Sequence, residues 1–130
     1  MASVNPGKGI IFNQAASSSV AATLPIICGQ YVAGSFQIQT DGTAAVSVTL
    51  QASNVPGSDD GQGPAYFRNE TATSQDYATL STSTVGTGSG NQNTMISMPT
   101  EPYRSVRLLI TAASGAPLTR VFYRSVGYAS

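Results

Sequence analysis

The chain has 130 residues, enough for one domain with a real core, and only 9% of them are charged, against about a quarter in an average soluble domain. Six basic and six acidic side chains cancel, which argues against nucleic-acid binding, and the absence of histidine removes the usual general base, the usual zinc ligand and both common hydrolytic triads. The single cysteine, Cys28, excludes an intrachain disulfide, and no run of about 18 apolar residues is present to cross a membrane.

No window has a helical period, and β-branched residues, Gly and Pro are dense, so an all-β fold is predicted. Residues 1–13, with Pro6, Gly7 and Gly9, read as an extended N-terminal arm that gains order by lying on a neighbour, with Ile10-Ile11-Phe12 as its short strand. The arm lacks an apolar run of signal-peptide length, so synthesis in the cytosol is expected. Residues 14–130 read as a single β-sandwich domain. Val20, Ala22 and Leu24 alternate weakly before Pro25, and Cys28 beside Ile26 and Ile27 has the setting of a small buried hydrophobe.

Two runs of strict period two follow. In residues 31–40, Val32, Gly34, Phe36, Ile38 and Thr40 share one face; in residues 45–52, Val46, Val48, Leu50 and Ala52 do. Asp41-Gly42 between them tolerates positive φ, so the two runs are expected to pair as an antiparallel hairpin with a neutral Ser/Thr/Gln outer face. Such a weakly hydrated surface suits permanent contact with other protein.

Residues 53–75 are the longest irregular stretch, and Tyr66 and Phe67 in its middle are aromatics that need a cover, from the chain itself or from a partner. Residues 76–80 read as a short strand, 81–93 as a Gly/Ser/Thr/Asn connector, and 94–98 as a strand closed by Pro99 and Pro102. In residues 103–112, Val106, Leu108 and Ile110 point inward. Residues 114–117 turn the chain, and 118–129 return it with Val121 and Tyr123 on one face and Leu118, Phe122 and Val126 on the other. A strand apolar on both faces is buried twice or touches another subunit. Seven or eight strands at short turn intervals predict an antiparallel β-sandwich, jelly-roll or galactose-binding-like in topology.

No motif specifies chemistry. Asp59-Asp60-Gly61 has neither the spacing nor the ligand count of a calcium loop, and Gly86–Gly90 lacks the ending of a phosphate cradle. Asn69-Glu70-Thr71 fits a glycosylation acceptor with no secretion signal to support it. No catalytic residue, metal site or cofactor is therefore expected. Residues 102–130 hold four arginines and no acid, whereas residues 1–101 carry a net charge of minus four, so the C-terminal part can complement acidic surface on the chain or on a neighbouring copy. Arg120 and Arg124 share a strand face with Phe122 between them, a stripe suited to an interface anchor or to a sugar or carboxylate contact.

Three segments in order resemble a group of small bacteriophage virion structural proteins: LQASNVP at 50–56, DYATLSTSTVG at 76–86, and EPYRSVRLLITAASGAPLTRVFYRSVG at 101–127. In that group a strand ending in LQASND leads through a variable loop to an NW-x-x-L/I strand and later to a YR-hydrophobic-R-hydrophobic strand. The likeness spans about residues 30–128; Tyr77 stands where the group often has Trp, and NVP where ND is usual. The resemblance implies a non-enzymatic component of a phage particle, a capsid decoration, spike, or head or tail part. Its partners would be other virion proteins and copies of itself, with no nucleic acid and no membrane, and its location the virion after synthesis in the host cytoplasm. Candidate interface residues on this reading are Ile10, Ile11 and Phe12, then Tyr66 and Phe67, then Arg120, Phe122 and Arg124. The YRSVRLLIT strand also looks like the closing part of discoidin-like domains. The alternative is thus a carbohydrate-binding module of a phage adhesin or tail protein, taking a host-surface glycan with Tyr66, Tyr77, Arg120 and Arg124.

Overall fold

Strict alternation of buried and half-exposed residues carries over into strands. The computed structural model describes residues 3–4, 7–27, 33–54, 77–86, 90–101, 103, 105–126 and 128–129, and among them there are eleven strands and no helix. They are β1 (Ser3–Val4), β2 (Gly7–Ala15), β3 (Ala21–Ala22), β4 (Ile26–Ile27), β5 (Ala33–Thr40), β6 (Val46–Ser53), β7 (Ala78–Val85), β8 (Gln92–Ser97), β9 (Ser105–Thr111), β10 (Leu118–Val126) and β11 (Tyr128–Ala129).

One sheet has the order β2-β10-β5-β8; the other runs β3-β9-β6-β7, with β4 also paired to β9, and β1 and β11 form a small ladder of their own. Every pairing is antiparallel, and the partners are nested about the link between β6 and β7: β6 with β7, β5 with β8, β3 and β4 with β9, β2 with β10, β1 with β11. Counting β3 and β4 as one interrupted strand, this is an eight-stranded sandwich made by wrapping a long folded-over hairpin, the jelly roll.

The expected hairpin of residues 31–52 is therefore corrected. β5 lies between β10 and β8, and β6 lies in the opposite sheet between β9 and β7. Alternation says which side chains face the core; an in-sheet turn and a corner that carries the chain between layers satisfy it equally. Residues 41–45 are such a corner. Gly42 adopts φ 74, Asp41 Oδ1 accepts from the Thr43 backbone N–H at 3.0 Å and hydroxyl at 2.9 Å, and Asp41 Oδ2 accepts from Leu118 N–H at 3.1 Å. The Asp41 N–H returns a bond to Leu118 O, tying the end of β5 to the start of β10. Residues 112–117 likewise carry the chain from β9 in one sheet to β10 in the other.

The core holds Phe36, Ile38, Val46, Val48, Val106, Leu108, Ile110 and Val121, each essentially without solvent contact. Burying one such side chain contributes about 1.5–3 kcal/mol relative to exposure. Two further expectations are revised. The arm of residues 1–13 is, from Gly7 onward, the edge strand β2, held along β10 within this chain, with Ile11 and Phe12 in the core. The connector expected at 81–93 is mostly strand, because β7 pairs along its whole length with β6. Its Ser/Thr composition fits a sheet edge whose side chains are nearly all exposed.

Pro25 has no N–H and interrupts the edge beside β9, and Thr23 fills the gap. Its N–H donates to Leu108 O at 2.9 Å, and its buried hydroxyl accepts from Leu108 N–H at 3.0 Å in place of a ladder carbonyl.

Candidate functional site

The register of β2, β10, β5 and β8 lays the outward side chains of the four-stranded sheet into rows. Arg120 stands opposite Asn13 and Gln39, and Gln39 opposite Asn93. Phe122 stands opposite Ile10 and Gln37, and Gln37 opposite Met95. Arg124 stands opposite Lys8 and Ser35, and Ser35 opposite Ser97. The middle row is apolar except for Gln37: Ile10 is 46% exposed, Met95 62%, and Phe122 half-buried. Arg120 and Arg124 are exposed on either side of it.

These side chains are held in place. Arg120 Nη2 donates to Gln39 Oε1 at 2.9 Å and the guanidinium lies 5.7 Å from the centre of the Phe122 ring. Gln37 Nε2 donates to Asn93 Oδ1 at 3.1 Å. The eleven described strands contain Lys8, Arg107, Arg120 and Arg124 and no Asp or Glu; among the described residues the acids are Asp41 and Glu101, both in connections. The face thus presents an apolar row between cations with no carboxylate on its own strands.

Of the expected interface residues, Ile10, Arg120, Phe122 and Arg124 share this face. Ile11 and Phe12 do not join them. The β2–β10 register slips between Val121 and Phe122, so Phe12 stands opposite Val121 on the core side while Ile10 stands opposite Phe122 on the outside. Ile11 is the extra residue of that bulge and is buried. Sequence reasoning had no signal for a bulge; Met95, Gln37 and Asn93 were missed because their face shows only through the pairing of β5 with β8. Tyr66, Phe67 and Cys28 lie outside the described residues.

At the other sheet, Tyr77 is only 7% exposed, with the Arg107 guanidinium 3.8 Å from its ring centre. Arg107 Nε donates to Gln51 Oε1 at 3.0 Å, and Gln51 Nε2 to Thr79 Oγ1 at 3.3 Å. Tyr77 is therefore a packed residue with no open ring on which a sugar could stack.

Beyond the Arg120 row, the end of β5 and the starts of β8 and β10 border a polar pocket of about 270 Å³ whose walls include Gln39, Asp41, Asn91, Gln92, Asn93 and Arg120. The Asp41 carboxyl is held below its ordinary value, chiefly by the Thr43 backbone N–H, then by the Leu118 N–H and the Thr43 hydroxyl. A second groove, about 330 Å³, runs between the β2 edge and the β3 segment past Ile10, Asn13, Ala22 and Leu24. Among the described residues no three His, Cys, Asp or Glu side chains converge as metal ligands would.

No protein-family model matches the sequence, and no curated protein matches it. Solved structures that share the fold include two from bacterial sources. One is a Bacillus endospore appendage protein, described as forming a novel family of disulfide-linked pili: 19% identity, TM-score 0.50, covering 98% of this chain and 89% of that one. The other is the PBSX exported protein XepA: 14% identity, TM-score 0.53, covering 95% of this chain and 38% of that one. At such identities the chain is similar to both in fold.

Proposed function

We propose that this chain is a non-enzymatic structural protein of a bacteriophage particle, a capsid decoration, spike, or head or tail component, that docks against copies of itself and other virion proteins. The observation that carries this reading is the outer face of the four-stranded sheet, where Ile10, the half-buried Phe122 and, beyond Gln37, Met95 form a mostly apolar row with Arg120 and Arg124 on either side of Phe122. An aromatic flanked by arginines is the composition of an interface anchor. The virion-protein motifs at 50–56, 76–86 and 101–127 agree with it. The neighbours' names, a pilus-forming appendage and a prophage exported protein, are compatible with a structural role.

Size points to many contacts of modest strength. With strands about 4.8 Å apart and residues about 3.4 Å apart, four strands of about seven residues give a footprint of roughly 19 Å by 24 Å. That is below the about 800 Å² per partner of a standard stable pair, so the face works by repetition in a symmetric assembly. Phe122→Asp tests it. The variant is expected to stay folded with a loss of about 1 kcal/mol, since Phe122 is half-buried on the outer face of an interior strand, and to be incorporated into particles at least tenfold less. Normal copy number per particle would overturn the assignment of this face.

A further inference from the structure

We infer that the polar pocket at the Asp41 corner binds a neutral, hydroxyl-rich ring, one sugar unit of a glycan. This stands on the geometry of the pocket and is independent of the assembly reading.

The walls come from three separate strand ends fixed against one another. Asp41 and Leu118 exchange two hydrogen bonds, Asp41 N–H to Leu118 O and Leu118 N–H to Asp41 Oδ2, both 3.1 Å. The Gly42 and Gly90 backbones touch so closely that a side-chain carbon on Gly42 would overlap Gly90 O. The pocket is thus formed before any ligand arrives, which lowers the ordering cost of binding.

Its chemistry selects among ligand classes. Gln39, Asn91, Gln92 and Asn93 all line the pocket; the Gln39 and Asn93 oxygens already accept from Arg120 and Gln37, and each of these two amides keeps a second acceptor lone pair beside its NH₂, a side-by-side acceptor and donor that matches two adjacent hydroxyls. Arg120 adds donors beyond the one bonded to Gln39. The Asp41 carboxylate already accepts three bonds and stands in the same wall as Arg120, so the lining carries one charge of each sign. A phosphate would meet Asp41 and a cation would meet Arg120; a neutral polyol meets neither penalty. Leu118, 51% exposed at the rim, offers an apolar contact for the C–H face of a ring. At about 270 Å³ the pocket lies near the small end of ligand sites, which suits one ring. No aromatic residue is among its described walls, so affinity rests on hydrogen bonds, and a dissociation constant of roughly 1 mM is expected.

The test follows the side-chain amide signals of Gln39, Asn91, Gln92 and Asn93 by ¹⁵N NMR in the whole protein. Galactose, glucose, mannose and N-acetylglucosamine are titrated to about 100 mM, a hundredfold above that constant, with sodium phosphate in parallel. Saturable shifts with at least one sugar, together with a tenfold or greater weakening in Asn91→Ala/Asn93→Ala, would support the site. Ile10→Asp, which alters the apolar row away from the pocket, is expected to bind the sugar unchanged. Any of three results overturns the inference: no amide shift with any sugar, equal shifts in the double variant, or phosphate shifting the amides where the sugars do not.

Discussion

Replacing Gly42 by Ala puts the jelly-roll corner under direct test. Gly42 is buried with φ 74, and a Cβ there would stand 1.8 Å from Gly90 O and 2.5 Å from Gly90 C. The left-handed backbone alone costs an alanine about 1–2 kcal/mol. Relieving the overlap forces the two corners apart, at the roughly 1–3 kcal/mol of an overpacked site. The total of roughly 2–5 kcal/mol is a large part of the about 5–15 kcal/mol of net stability usual for a domain. Gly90→Ala is the internal control. Its φ is 86, yet nothing lies within 4 Å of the position its Cβ would take, so only the backbone cost applies. Urea unfolding of both variants, read from midpoints at constant slope, is expected to separate them by about 1–3 kcal/mol. Equal losses in the two variants would refute the corner contact, and with it the account of how β5 passes into β6.

Further outcomes follow from other contacts. Thr23→Val keeps the shape and removes the acceptor for the buried Leu108 N–H, so a loss of about 1–3 kcal/mol is expected by urea unfolding, and a neutral result would refute the bridging role. Phe12→Ala should cost about 3–5 kcal/mol as a core deletion, whereas Ile10→Asp, on the outer face, should leave the unfolding midpoint nearly unchanged; the reverse order would refute the bulge. Asp41 has a folded pKa below its ordinary 3.8. Its stabilising contribution is therefore complete above that value and is lost as pH falls through the lower folded one. Unfolding midpoints of wild type and Asp41→Asn are expected to converge below about pH 4 and to differ at pH 7, and a pH-independent gap would contradict this.

The faces of individual strands were legible before the structure. Val46, Val48 and Leu50 on β6, and Val106, Leu108 and Ile110 on β9, point inward as their alternation requires, and Arg120, Phe122 and Arg124 share an outer face. Pairing was not legible, because alternation constrains a strand against the core and says nothing of its neighbour. Ile10 meets Phe122 and Leu50 meets Ser81 through register alone. Strand β7 was anticipated only at residues 78–80, and its continuation to Val85 was hidden for a second reason: with Ser81, Thr82 and Thr84 exposed at an edge, its composition is that of a loop tip. The candidate site was legible to the extent that it lies on β10; the parts contributed by β5, β8 and the bulge of β2 came only with the sheet order.

Strand β10 follows β2, β5 and β8 in the chain, yet it occupies an interior place in their sheet, between β2 and β5. Until residues 118–126 have been synthesised, β2 and β5 have no common neighbour, and Ile38 lacks Val121 and Phe36 lacks Tyr123 beside it. Emergence from the ribosome and acquisition of the native state are thereby separated: the nascent polypeptide must wait, partly collapsed, for a keystone that arrives after the stones it supports. Closure of such distant segments is slow, so the chain spends longer in partly collapsed forms whose apolar side chains and strand edges are still uncovered.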